Sequence, residues 1–196
     1  MDFFLYLSCM KKLLFILLLL SQIVFAQTPE NLKNQFKTYI TATNTLDADN
    51  AYTLTYPVIF EKISISDLKE MYKSFNQNPN FNIKTTATQT PVIFENIIEN
   101  KGKKFVKITS ENQVIMTFKT LITDSKSMIN EFKTNMNAKS VLFNEKSNSF
   151  TIIHNITVIG IQDNLTKNNW NFINYSPRKN VIKEIFGTEV SNQLKL

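Results

Sequence analysis

From Glu30 to Thr43 the apolar residues Leu32, Phe36, Tyr39 and Ile40 fall at i, i+4, i+7 and i+8, the spacing of one helix face. "LDADNAYTLTYPVIFEKIS" continues in helical character and predicts a bend near Pro57. Ser66 then reads as the N-cap of a third helix, with Asp67 and Glu70 in the first turn. Leu68, Met71, Tyr72 and Phe75 form its apolar side, and "NQNPN" stops it. From Phe81 the period changes from about 3.6 to 2, and threonine, valine, isoleucine and phenylalanine take over. "FNIKTTATQ", "PVIFENIIE", "KKFVKITS" and "NQVIMTFKTLI" predict separate strands of a meander, with Val114, Met116 and Phe118 on one face. Asp124 caps a short inserted helix to Met136, whose apolar side is Met128, Ile129, Phe132 and Met136. "SVLF", the stretch from Phe150 to Asp163, and "NNWNFINY" predict further strands. A last helix takes Ser176 as N-cap and Pro177 at N1, carries Val181, Ile182, Ile185 and Phe186 as its stripe, and stops at Gly187.

Helices segregated from strands in this order predict an α+β fold, with helices on one face of an antiparallel sheet. "PVIFE" occurs at Pro57 and again at Pro91, but the flanking residues do not match, so no internal repeat is inferred.

The N-terminus changes the picture of where the fold begins. "MKKLLFILLLLSQIVFAQ", Met10 to Gln27, has a basic start at Lys11 and Lys12 and an apolar run from Leu13 to Leu20. Val24 and Ala26 supply the small residues of a cleavage site, so the cut is expected between Ala26 and Gln27, with Met10 as the true start. The apolar run is too short for a span of about 20 residues. Extended to Phe25, it leaves an uncleaved anchor as the alternative. Export to the periplasm or beyond is expected, with no stable membrane span after cleavage. Removing 26 of the 196 residues leaves 170, enough for one domain, residues 27–196, with a sizeable core. Cys9 is the only cysteine and departs with the leader, so the domain holds itself together without disulfides.

The net charge of +6 falls to +5, because the leader carries Lys11, Lys12 and Asp2. The tightest basic group, "NKGKK", surrounds Gly102 and reads as a hairpin tip. With no clustered arginine, nucleic acid is not an expected partner.

The long first helix, the second helical stretch, the third helix before the meander, and "NNWNFINYS" followed by "VIKEIFGTEV" together resemble the nuclear transport factor 2-like superfamily, the cone fold. The likeness is to its secreted bacterial members and covers nearly all of the chain after the leader. It implies N-terminal helices on a curved antiparallel sheet. The helix from Asp124 to Met136 departs from the minimal pattern and would cap or fill the cone mouth. Such folds host isomerases, dehydratases, cyclases and non-catalytic binding modules, so fold alone does not decide function.

Several chemistries are removed by residue content. Gly102, Gly160 and Gly187 are the only glycines and stand too far apart for a phosphate loop or a nucleophile elbow. One histidine and no thiol after cleavage leave no common zinc set, and no cofactor is expected. "DAD", Asp47 to Asp49, is too small a cluster for calcium and reads as capping. A base in an apolar pocket remains, as an isomerase or dehydratase needs. Strand parity places His154 with Phe150, Ile152, Ile156 and Val158 on the more apolar face, with Asp163 on the other unless a bulge at Gly160 shifts it. No carboxylate falls within an apolar face. His154 is a core histidine, a polar anchor in a ligand pocket, or a catalytic base working with Tyr72. Tyr39, Tyr56, Tyr72, Met116, Phe118, Trp170 and Phe172 are either core or the lining of such a pocket. The expected function is a non-enzymatic domain binding a small apolar ligand or an envelope protein. The alternatives are an isomerase or dehydratase using His154, and a homodimer pairing through the open sheet face.

Overall fold

A computed structural model of the chain describes residues 28–196. The expected leader and its cleavage site lie outside these residues. The fold is α+β, with five helices and an open antiparallel sheet of seven strands among the described residues. Helices α1 (Glu30–Asn44) and α2 (Ala48–Leu54) come first, then a 3-10 turn (Pro57–Glu61) and α3 (Ile65–Asn76). Strands β1 (Phe81–Ala87), β2 (Ile93–Phe94), β3 (Ile98–Asn100) and β4 (Lys103–Phe118) follow. Then come α4 (Ser125–Met136), β5 (Ala138–Asn144), β6 (Ser149–Gln162), β7 (Asn171–Tyr175) and α5 (Val181–Gln193). The arrangement is consistent with a cone-like curved sheet.

Two long strands make the frame. β4 pairs with β6 along its whole length, Lys104 opposite Gln162 and Thr117 opposite Ser149. The far edge of β4 takes β1, β2 and β3, and the far edge of β6 takes β5 and β7. The two strands expected over "KKFVKITS" and "NQVIMTFKTLI" are therefore one. "SEN", which reads as a break, continues the alternation: Ser110 and Asn112 are buried while Glu111 points to the other side. "PVIFENIIE" instead divides into β2 and β3.

The inner face carries Val106, Ile108 and Val114 of β4 with Ile152 and Val158 of β6. At one end α1 covers it, packing Leu32, Phe36, Tyr39 and Ile40 on Trp170 and Phe172. At the other end α4 covers it, with Met128, Ile129, Phe132 and Met136 against Val114, Val141, Phe150 and Ile152. Asp124 caps α4 as expected, accepting from the Ser127 amide at 3.0 Å.

The outer face is not bare. α5 lies on it, burying Ile182, Val190 and Leu194 against Phe105, Ile159, Ile161 and Ile173. Helices thus occupy both faces, not one, because the odd-numbered positions of β6 beyond Thr157 are as apolar as the even ones. The α5 cap is Asn180, which accepts from the Lys183 amide at 3.0 Å, and not Ser176. Gly187, at φ 88°, breaks the helical path, but helix resumes to Gln193 and returns Val190 to the core. The α3 cap is Ser64, two residues before the expected Ser66. Its hydroxyl accepts from the Asp67 amide while the Asp67 carboxylate accepts from the Ser64 amide, a reciprocal box that Ser66 cannot make. The register shift lies in β5 between Ala138 and Ser140, so β6 runs unbulged through Gly160.

Candidate functional site

Between the two apolar clusters of the inner face lies a polar row. Cross-strand pairing sets Asn112 opposite His154 and Ser110 opposite Ile156, with Ala87 and Ala138 on the flanking strands. Residues directly opposite in an antiparallel pair share a face, so Ser110, Asn112 and His154 are neighbours there. Ser110 is 7% exposed and Asn112 is 5% exposed. Asn44, the last residue of α1, reaches this row, its Oδ1 accepting from Nδ2 of Asn112 at 3.1 Å.

Two atoms of the row lack partners: the Ser110 hydroxyl and Oδ1 of Asn112. Buried polar atoms are almost always paired, and each unpaired one costs about 1–3 kcal/mol. The two lie two residues apart on one strand, hence roughly 7 Å between Cα atoms. Trp170 Nε1, deeper under α1, is also unpaired.

His154 is half-buried, and burial pushes its pKa below the ordinary histidine value. No side-chain hydrogen bond holds its ring to a carboxylate among the described residues. The expectation that no carboxylate lies in an apolar face does not hold for the outer face. Asp163 is 4% exposed there and is joined to the outer-face cluster through Tyr56. It accepts from the Tyr56 hydroxyl at 2.8 Å, from the Thr166 amide at 3.2 Å and from Lys103. Burial alone would raise its pKa, but the donors Lys103, Tyr56 and Thr166 bring it below the usual carboxylate value. This cluster fastens the β6–β7 loop to the 3-10 turn and lies on the opposite face from His154.

The named candidates therefore separate. Tyr39 of α1 is fully packed on Trp170 and Phe172, stacked on Phe172 at 5.0 Å. Met116 and Phe118 sit at the α4 end, Met116 opposite Phe150 and Phe118 edge-on to it. Tyr72 of α3 is half-buried, and Tyr39 is buried in α1. Burial raises the pKa of both tyrosines. Tyr56 belongs to the outer face and cannot line the same pocket as His154, because the bridge of Thr55 to Phe172 of β7 fixes the backbone there and the Tyr56 hydroxyl donates to Asp163.

The β1 side of the inner face is only partly closed. Leu68 and Tyr72 of α3 and Ile83 and Thr85 of β1 are each half-buried, and α3 has no fully buried residue. Met71 and Phe75 are exposed. Three surface depressions elsewhere, of about 450, 660 and 350 Å³, are lined mainly by polar residues such as Lys37, Lys73 and Lys167, and none of these reaches His154. Among the described residues no three His, Cys, Asp or Glu side chains gather as a metal would require. No helix of the described residues is long and apolar enough to cross a membrane.

Ser110 and Asn112 are not among the sequence candidates, because the expected strands "KKFVKITS" and "NQVIMTFKTLI" end and begin at these two residues. Their signal was the unbroken alternation of apolar residues at 106, 108, 114 and 116 on either side. No protein-family model matches the chain, and no curated protein matches it.

Proposed function

We propose that the chain is an exported, non-enzymatic binding domain of the cone type, and that the inner face takes a small, largely apolar molecule. The observation that carries this is the pair of buried, unpartnered polar atoms on Ser110 and Asn112, set between two apolar clusters and beside His154. A core without a ligand gains nothing from such atoms, while a bound molecule pairs them. His154 then acts as a polar anchor. Among the described residues no carboxylate is hydrogen-bonded to its ring, which disfavours the reading as a general base. The partly exposed stripe of α3, Leu68 to Phe75, supplies apolar surface where the molecule's body would lie. The leader and the resemblance to secreted cone-fold proteins support export.

Native mass spectrometry of the protein recovered after export tests both parts. The chain should begin at Gln27 and carry a retained small molecule, and His154→Ala should lower that retention while the fold persists. A protein that carries nothing, and in which His154→Ala lowers only thermal stability, would leave His154 as a core residue.

A further inference from the structure

The chemical class of the ligand follows from what the polar row does and does not contain, and this step rests on the binding reading above. From β4 the row receives Ser110 and Asn112, from β6 His154, from α1 Asn44, and from β1 and β5 Ala87 and Ala138. No lysine, arginine, aspartate or glutamate is among them. The nearest charges on the same strands point to the outer face: Glu111 is taken by Lys139 at 2.7 Å and by Thr90 at 2.8 Å. His154 is the one titratable group of the row, and its burial favours the neutral ring.

We propose that the row receives an uncharged alcohol or primary amide at the end of an apolar molecule and turns away the matching carboxylate. Oδ1 of Asn112 is an acceptor only and requires a donor. The Ser110 hydroxyl can donate as well as accept. A hydroxyl or a primary amide offers both functions in one small group, matching what each orphaned atom lacks. A carboxylate would set its charge against the lone pairs of Asn112 with no cation to offset it. Burying an unpaired anion is far more costly than burying a paired neutral group. An ammonium group could donate but would also be buried without a counter-charge.

The test uses the full chain after leader removal, stripped of bound molecules, with three probes of equal chain length: 1-dodecanol, dodecanamide and dodecanoate. Calorimetry or competition by native mass spectrometry reads their relative affinity at neutral pH. Dodecanol or dodecanamide should bind about tenfold or more tighter than dodecanoate. Asn112→Leu should abolish that preference while keeping affinity for the chain, and Ser110→Ala serves the same comparison if the leucine variant does not fold. Dodecanoate binding as tightly as the neutral probes would overturn the headgroup assignment and leave the binding reading intact. Failure of all three probes to bind would overturn both.

Discussion

Gly160 offers the sharpest test of how tightly the inner face is packed. It lies near the end of β6, directly opposite Val106 on β4 and Phe172 on β7. A Cβ placed there would stand 2.8 Å from Cγ1 of Val106 and 3.4 Å from both Phe172 and Trp170. All three neighbours are essentially without solvent exposure, so none can swing away. The 2.8 Å contact is well inside ordinary carbon–carbon separations of about 3.5–4.0 Å. Overpacking of this kind costs about 1–3 kcal/mol, offset in small part by the lower backbone entropy of alanine in the unfolded chain. Gly160→Ala should therefore lose about 1–2 kcal/mol, or about 2–8 °C of melting temperature for a domain of this size. Urea unfolding followed by the fluorescence of the single, buried Trp170 measures it. A double-mutant cycle isolates the cause. Val106→Ala alone creates a cavity and destabilises, but combined with Gly160→Ala the two changes share the same space. The double variant should be more stable than the sum predicts by about 1 kcal/mol. Additive effects, or a Gly160→Ala protein as stable as the parent, would refute the close approach of β4, β6 and β7.

Two further outcomes follow from the outer face. Tyr56→Phe removes the 2.8 Å hydrogen bond to buried Asp163 and should cost about 1–3 kcal/mol in chemical denaturation, since the acceptor is charged and only 4% exposed. An unchanged midpoint would show that Lys103 and Thr166 suffice. Glu111 is held at about 2, chiefly by Lys139 and then by Thr90 and Thr88. Its folded pKa is below its unfolded one, so its contribution is present above the unfolded carboxylate value and is lost as pH falls toward about 2. Carboxyl-carbon NMR should follow this titration, and Lys139→Met should return it toward the ordinary range. No change in that variant would contradict the ion pair.

Much of the frame was legible because burial and period coincide there. The stripe of α1 and the apolar side of α4 follow helical spacing and bury against the sheet as expected. The parity of His154 with Ile152 and Val158 also held. What was not legible has a common physical cause: local composition and long-range pairing disagreed. "SEN" is turn-like by propensity, yet fourteen consecutive pairs with β6 keep β4 extended through it. The outer-face site of Tyr56 and Asp163 joins residues 107 positions apart, a distance that no local pattern reports. The caps at Ser64 and Asn180 depended on which side chain meets a free amide, a choice that composition alone does not make between neighbouring polar residues.

The claim that Ser110 is kept for a ligand can be separated from a role in the core by the sign of one stability change. Ser110→Ala deletes a buried hydroxyl that has no partner and retains the rest of the side chain. With bound molecules stripped away, the melting temperature of the variant should rise by about 2–4 °C, corresponding to roughly 1 kcal/mol. A fall in the melting temperature would contradict the account, because it would mean that the hydroxyl already has a stabilising partner within the fold.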